Sequence, residues 1–135
     1  MTKIEGGCLC GSVRYTSDAE PAAIINCYCA ACRKNSGSTN SFNLAMPKDS
    51  VKVSGDTVAT YVDNSGSSGK PFERHFCSKC GSHFLSSGPG YEGLEFIKSY
   101  AGKCVTRPDQ AALVSVVSIT ATPSVNLMPS MTFGN

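Results

Sequence analysis

The sequence lacks any long apolar run, and none of its stretches could span a bilayer as a helix. Its opening, Met1-Thr2-Lys3-Ile4-Glu5-Gly6-Gly7, has neither the apolar core of a signal peptide nor an anchor, so a cytoplasmic chain is expected. Charge of one sign is also scarce. A net charge of +2 gives too weak a field to point to nucleic acid or a membrane surface as partner. Asn-x-Ser/Thr is absent, so no glycosylation site is marked. Helical periodicity is weak throughout. The polar stretch Asp63 to Pro71 contains Gly69-Lys70 but is no phosphate-binding loop: that motif needs Ser or Thr after the Lys and an earlier Gly, where this chain has Pro71 and Asn64.

What remains is a chain of 135 residues, 41% of them hydrophobic, enough for one domain with one core. Short runs of strand formers are Val13 to Thr16, Ala23 to Asn26, Ser41 to Leu44, Val51 to Val53, Thr57 to Val62 and Phe72 to Phe76. Val51 to Val62 reads as a hairpin turning near Gly55-Asp56. Ala30 to Asn35, before Gly37, and Asp109 to Leu113 each read as a turn of helix. The expectation is mainly β: a single small domain of twisted antiparallel sheets over residues 1–122, with little helix, and a tail at 123–135 that frays.

Eight cysteines in so short a chain need a reason. In a reducing compartment disulfides are disfavoured, and Cys-x-Cys pairs make awkward disulfide partners. Seven of the eight fall in three clusters: Cys8-Leu9-Cys10, Cys27-Tyr28-Cys29-Ala30-Ala31-Cys32 and Cys77-Ser78-Lys79-Cys80. Zinc takes four ligands in a tetrahedron, and a close cysteine pair fills two corners. The first and third clusters sum to one closed site. Each is followed by glycine, Gly11 and Gly81, which tolerates positive φ and lets the chain aim amide N–H groups at sulfur. Closing so long a loop costs roughly 4 kcal/mol of chain entropy. A structural zinc site contributes on the order of 10–16 kcal/mol, so metal-free protein should be partly or wholly unfolded.

Cys27, Cys29 and Cys32 offer three sulfurs and no obvious fourth. Three protein ligands with an open corner is the arrangement of a catalytic zinc. Three thiolates and Zn²⁺ sum to about −1, a charge that Arg33 and Lys34 could moderate. A sulfur-rich site favours a thiolate as fourth partner, and coordination would deprotonate an incoming thiol near neutral pH. The rival reading is a second structural site completed by His75, His83, Cys104 or water. Cys104 stands apart and reads as a small buried thiol. His75 and His83 read as surface or packing residues.

Three stretches together resemble the glutathione-dependent formaldehyde-activating enzyme (GFA) family, which includes the centromere-protein-V group. They are Gly6-Gly7-Cys8-Leu9-Cys10-Gly11-Ser12-Val13-Arg14-Tyr15, Cys27 to Ser38, and Arg74-His75-Phe76-Cys77-Ser78-Lys79-Cys80-Gly81-Ser82. The resemblance covers residues 4–98. It implies a structural zinc on Cys8, Cys10, Cys77 and Cys80, and a second zinc on Cys27, Cys29 and Cys32: two per chain. It implies a carbon–sulfur lyase that joins glutathione and formaldehyde reversibly into S-(hydroxymethyl)glutathione. Arg33, Lys34 and Arg74 are then candidates to meet glutathione carboxylates. Tyr28 stands where the family usually has His, and the chain after Lys98 departs from the family pattern. The alternatives are a family member acting on another electrophile, or a zinc-stabilised binding or scaffold domain without turnover. The sequence carries no signal of oligomeric state.

Overall fold

Among the described residues, runs rich in β-branched and aromatic side chains, broken by glycine and proline, build ten strands and one short helix. The structure, a computed structural model, describes residues 4–66, 69–98 and, for the backbone alone, 116–119. In chain order the elements are β1 (Ile4–Gly7), β2 (Arg14–Ser17), β3 (Ala23–Cys27), α1 (Ala30–Ser36), β4 (Ser41–Pro47), β5 (Lys52–Ser54), β6 (Val58–Asp63), β7 (Phe72–Cys77), β8 (His83–Ser87), β9 (Leu94–Lys98) and β10 (Val116–Ile119). They form two sheets, β1-β2-β5 and β10-β3-β4-β9-β8-β7-β6. Mainly β with little helix is therefore what the chain adopts. The pairing is antiparallel except at one margin, where β10 runs parallel to β3.

Side chains alternate along each strand, so the register sorts the large sheet into two faces. Leu44, Met46, Leu85 and Ile97 lie on one face and pack with Ile4, Val13 and Tyr15 into the core. Tyr15 stacks on Phe84 with ring centroids 6.4 Å apart. A bulge adjusts this pattern. His75 pairs with Leu85 and Phe76 with His83, leaving Phe84 as the extra residue of β8. Phe84 and Leu85 both enter the core as a result. His83 turns to the opposite face, its ring edge-on to Phe76 at 5.8 Å.

Val51 to Val62 is not the hairpin that its composition suggests. β5 pairs with β2 in the small sheet, and β6 pairs with β7 at the edge of the large one. Gly55 sits between them at φ 124, pressed so closely on the loop at Ser12 that a Cβ would overlap the Ser12 carbonyl. The chain crosses from sheet to sheet there instead of folding back. The helix turn expected at Asp109 to Leu113, Cys104 and the tail at 123–135 lie outside the described residues.

Candidate metal centres

Two tight turns build the first centre. After Cys8 the amide of Gly11 donates to the Cys8 carbonyl at 3.1 Å, and after Cys77 the amide of Gly81 donates to the Cys77 carbonyl at 2.7 Å. Both glycines have positive φ, 80° and 76°, which a side chain would resist. The Leu9 amide donates to Ser82 Oγ at 3.0 Å and ties the turns together. The sulfurs of Cys8, Cys10, Cys77 and Cys80 all lie within 4.8 Å of one another and could hold a metal ion. Sulfurs 2.3 Å from a central ion define a tetrahedron with edges of about 3.8 Å. Cys8 and Cys10 are 3.5 Å apart, and Cys10 and Cys77 are 3.8 Å apart.

Polar groups already point at these sulfurs. The Val13 amide donates to Cys8 Sγ at 3.2 Å, and Thr57 Oγ1 and Ser82 Oγ lie 3.2 Å from Cys77 and Cys80. Burial pushes the Cys8 thiol up. The Thr57 hydroxyl holds Cys77 down, and the Ser82 hydroxyl leads the groups that bring Cys80 to about 5. A raised Cys8 crowded against a lowered Cys77 and Cys80 is an imbalance that a shared cation would even out. The seven described cysteines are all free thiols.

The second centre is assembled locally. Cys27 ends β3, and Cys29 is the N-cap of α1, its sulfur accepting from the Cys32 amide at 3.3 Å. Cys32 follows one turn on. The three sulfurs lie within 4.8 Å of one another, and all three residues are partly buried. The Cys32 thiol hydrogen-bonds to the Cys27 sulfur, which brings Cys27 down to about 7 and pushes Cys32 up.

This centre opens on the polar face of the large sheet. Lys98 is buried there, its Nζ donating to Asn43 Oδ1 at 2.6 Å and to Ser41 Oγ at 3.2 Å. Burial brings Lys98 down to about 8, and the neighbouring Cys32, Cys27 and Cys29 sulfurs oppose that shift. Arg74 is also buried. Its Nε and Nη2 reach Asp63 Oδ2 at 2.8 and 2.7 Å, and its Nη1 reaches Asn35 Oδ1 at 3.4 Å. The Asn35 amide in turn lies 3.2 Å from His83 Nε2. This chain of contacts pins α1, which has no buried residue of its own, onto the sheet. Phe72, Tyr91 and Phe96 form an aromatic wall with centroids 5.1–6.2 Å apart. Burial raises the Tyr91 hydroxyl, and the nearby charges of Cys27, Cys32 and Cys29 add to that.

Of the substrate contacts expected from sequence, Arg33 and Lys34 are exposed in the last turn of α1. Arg74 is engaged by Asp63. Neither His75 nor His83 joins a cysteine group among the described residues. His75 bonds Thr60 Oγ1 at 2.9 Å, and His83 packs as described. Sequence reasoning passed over Lys98, Asn35 and Asp63. The one available signal was a lysine closing the otherwise apolar run Phe96-Ile97-Lys98.

The fold and its cysteines define a small β domain with two centres able to coordinate metal. The family model for glutathione-dependent formaldehyde-activating enzymes matches residues 3–112, and the chain belongs to that family. A Halomonas elongata protein, provisionally named a glutathione-dependent formaldehyde-activating enzyme, is 37% identical over 94 residues, covering 67% of this chain. The chain spans 60% of the length of that relative. A crystal structure of a Rhodobacter sphaeroides protein shares the fold, with TM-score 0.61 and 16% identity, over 84% of this chain and all of the other. No helix among the described residues is long and apolar enough to cross a membrane.

Proposed function

We propose that the chain is a zinc-dependent carbon–sulfur lyase of the cytoplasm that adds a thiol, glutathione, reversibly to a small carbonyl such as formaldehyde. The observation that carries the reading is the convergence of Cys27, Cys29 and Cys32. Three sulfurs meet there with no fourth protein ligand among the described residues. Cys8, Cys10, Cys77 and Cys80 would hold a structural zinc, and Cys27, Cys29 and Cys32 a second. When bound at three protein ligands, zinc supplies a Lewis acid that keeps a thiol ionised near neutral pH.

The chain's own groups do the rest. In the forward reaction the thiol sulfur attacks the carbonyl carbon, and an S–C bond forms. The C=O π pair becomes a lone pair on oxygen, which takes up the proton that the thiol gave up. The aromatic wall of Phe72, Tyr91 and Phe96 bounds one side of the polar face. Arg33 and Lys34 would meet the glutathione carboxylates from the end of α1. Tyr28, beside Cys27, has its hydroxyl fixed by the Asn26 amide at 2.9 Å, and Asn26 is held in turn by the Asn40 amide.

Formaldehyde adds to thiols unaided, so the test must measure acceleration. Zinc-loaded protein, glutathione and formaldehyde are mixed, and S-hydroxymethyl exchange is followed by NMR. Exchange faster than in protein-free buffer is expected. A rate equal to the buffer rate defeats the formaldehyde reading.

A further inference from the structure

Lys98 is only 2% exposed, yet no carboxylate among the described residues pairs with it. A buried ammonium without a counter-ion is strongly disfavoured. Its two hydrogen-bond acceptors, Asn43 Oδ1 and Ser41 Oγ, are both neutral. An ammonium has three protons, so one is left over. Lys98 pairs with Asn43 across β9 and β4, and Ser41 pairs with Cys27 across β4 and β3. By alternation these four residues share a face, which places the ammonium beside the sulfur trio, where Cys32 is its strongest charge neighbour. The other cation on this face, Arg74, is already matched by Asp63. The His83 ring nitrogen is engaged by Asn35.

We propose that Lys98 is the resident counter-ion of the Cys27–Cys29–Cys32 centre, and that it makes this centre select an anionic sulfur ligand over a neutral donor. The inference rests on the proposed function only for the class of ligand, a thiol that binds as its thiolate. Three thiolates around a divalent ion leave a charge of about −1. Lys98 brings the sum to zero, so a fourth thiolate leaves −1 where it would otherwise leave −2. A neutral donor changes no charge and gains nothing from the lysine. Lys98 acts here as a specificity-determining group and need not touch the carbonyl.

The test uses protein loaded with cobalt(II) in place of zinc. It is titrated with 2-mercaptoethanol, whose only ionisable group is its thiol, and separately with imidazole, following the ligand-field bands. Lys98→Met removes the charge at similar length. Lys98→Gln keeps a donor for Asn43 Oδ1 and carries the test where the methionine variant fails to fold. The cobalt bands of the four-sulfur centre report folding in the same sample. The thiol Kd should rise by about tenfold or more, the effect of losing an opposite charge a few ångströms away. The imidazole Kd should stay within about twofold. Equal weakening of both ligands, or no change in either, overturns the proposal. If thiol binding depends on Lys98 but wild-type protein does not speed glutathione–formaldehyde exchange, the activity fails and this inference stands. If exchange is accelerated while thiol binding is indifferent to Lys98, the activity stands and this inference fails.

Discussion

The two faces of the seven-stranded sheet bury opposite chemistry, and each has its own cysteine centre. On one face Leu44, Met46, Leu85 and Ile97 meet Ile4, Val13 and Tyr15, and Cys8 and Cys77 belong to the same apolar cluster. The other face buries Ser41, Asn43 and Lys98, which hydrogen-bond to one another, together with Ser86 and with Arg74, which Asp63 holds. The centre beside the apolar face joins Cys10 to Cys77, 67 positions apart in sequence. The centre on the polar face joins three residues at a single strand–helix junction. A bridge between distant residues constrains the whole chain, whereas a bridge between neighbours constrains one turn. The first centre thus bears on folding, and the second is free to bear on chemistry.

Removing one sulfur from each centre puts that contrast under the greatest strain. Cys77→Ser should forfeit a contribution on the order of 10 kcal/mol, comparable with the entire stability of a domain, about 5–15 kcal/mol. Its circular dichroism should show an unfolded chain at room temperature, and strong chelation of the wild type should do the same. Cys29→Ser keeps an N-cap oxygen for α1, so its cost should stay near or below about 1 kcal/mol. That variant should fold, bind one metal fewer by elemental analysis, and lose its exchange activity. Two variants of equal stability would erase the distinction between the centres.

A smaller effect is expected from the buried cation of the polar face. Arg74→Met leaves Asp63 buried without its partner and should cost about 3–5 kcal/mol in urea unfolding. The pH dependence has a definite sign. Burial alone would raise the Asp63 carboxyl, but the Ser65 hydroxyl and amide and then Arg74 outweigh it and bring it down to about 2. A carboxyl held low in the folded state stabilises fully above its ordinary value of about 4, and that contribution fades as pH falls toward 2. The gap between wild type and Arg74→Met should therefore narrow over that acid range. A gap that stays constant down to pH 2 would mean that the variant fails through lost packing on Phe72, whose ring centroid lies 5.1 Å from the guanidinium carbon.

The two centres and the faces that bear them were not equally legible in the sequence. Cysteine spacing carries ligand geometry directly, because a tetrahedron admits few arrangements of close pairs. Glycine after Cys10 and after Cys80 marked the two turns for the same local reason. The runs at Ala23, Ser41 and Phe72 announced strands through their side chains. Pairing partners were another matter. β5 and β6 read as a hairpin because local composition does not say which sheet a strand joins. β8 escaped notice because its bulge places Phe84 and Leu85 on the same side and so breaks the alternation that reveals a strand. β1, with Gly6 and Gly7, has half of its residues without side chains. Lys98 was hidden for a different reason: a lysine ending a strand is ordinarily solvated, and only the register with Asn43 puts it under cover.

The smallest expected effect concerns Arg33 and Lys34, whose exposure separates recognition from architecture. Both stand in the last turn of α1, where a cation gains about 0.3–1 kcal/mol from the helix dipole. Replacing both with alanine should therefore leave the folded state nearly as stable as before. Their proposed role is to meet the carboxylates of glutathione, which a simple thiol such as 2-mercaptoethanol does not have. The double variant should raise KM for glutathione several-fold, with kcat little changed, because a contact made equally in ground and transition states affects binding alone. With 2-mercaptoethanol as the thiol its kinetics should match the wild type. Added salt should narrow the difference for glutathione, since exposed charges are screened over about 10 Å at 0.1 M ionic strength. Equal losses with both thiols would place the two cations among the groups that shape the centre, and no loss with either would leave them as solvated charges.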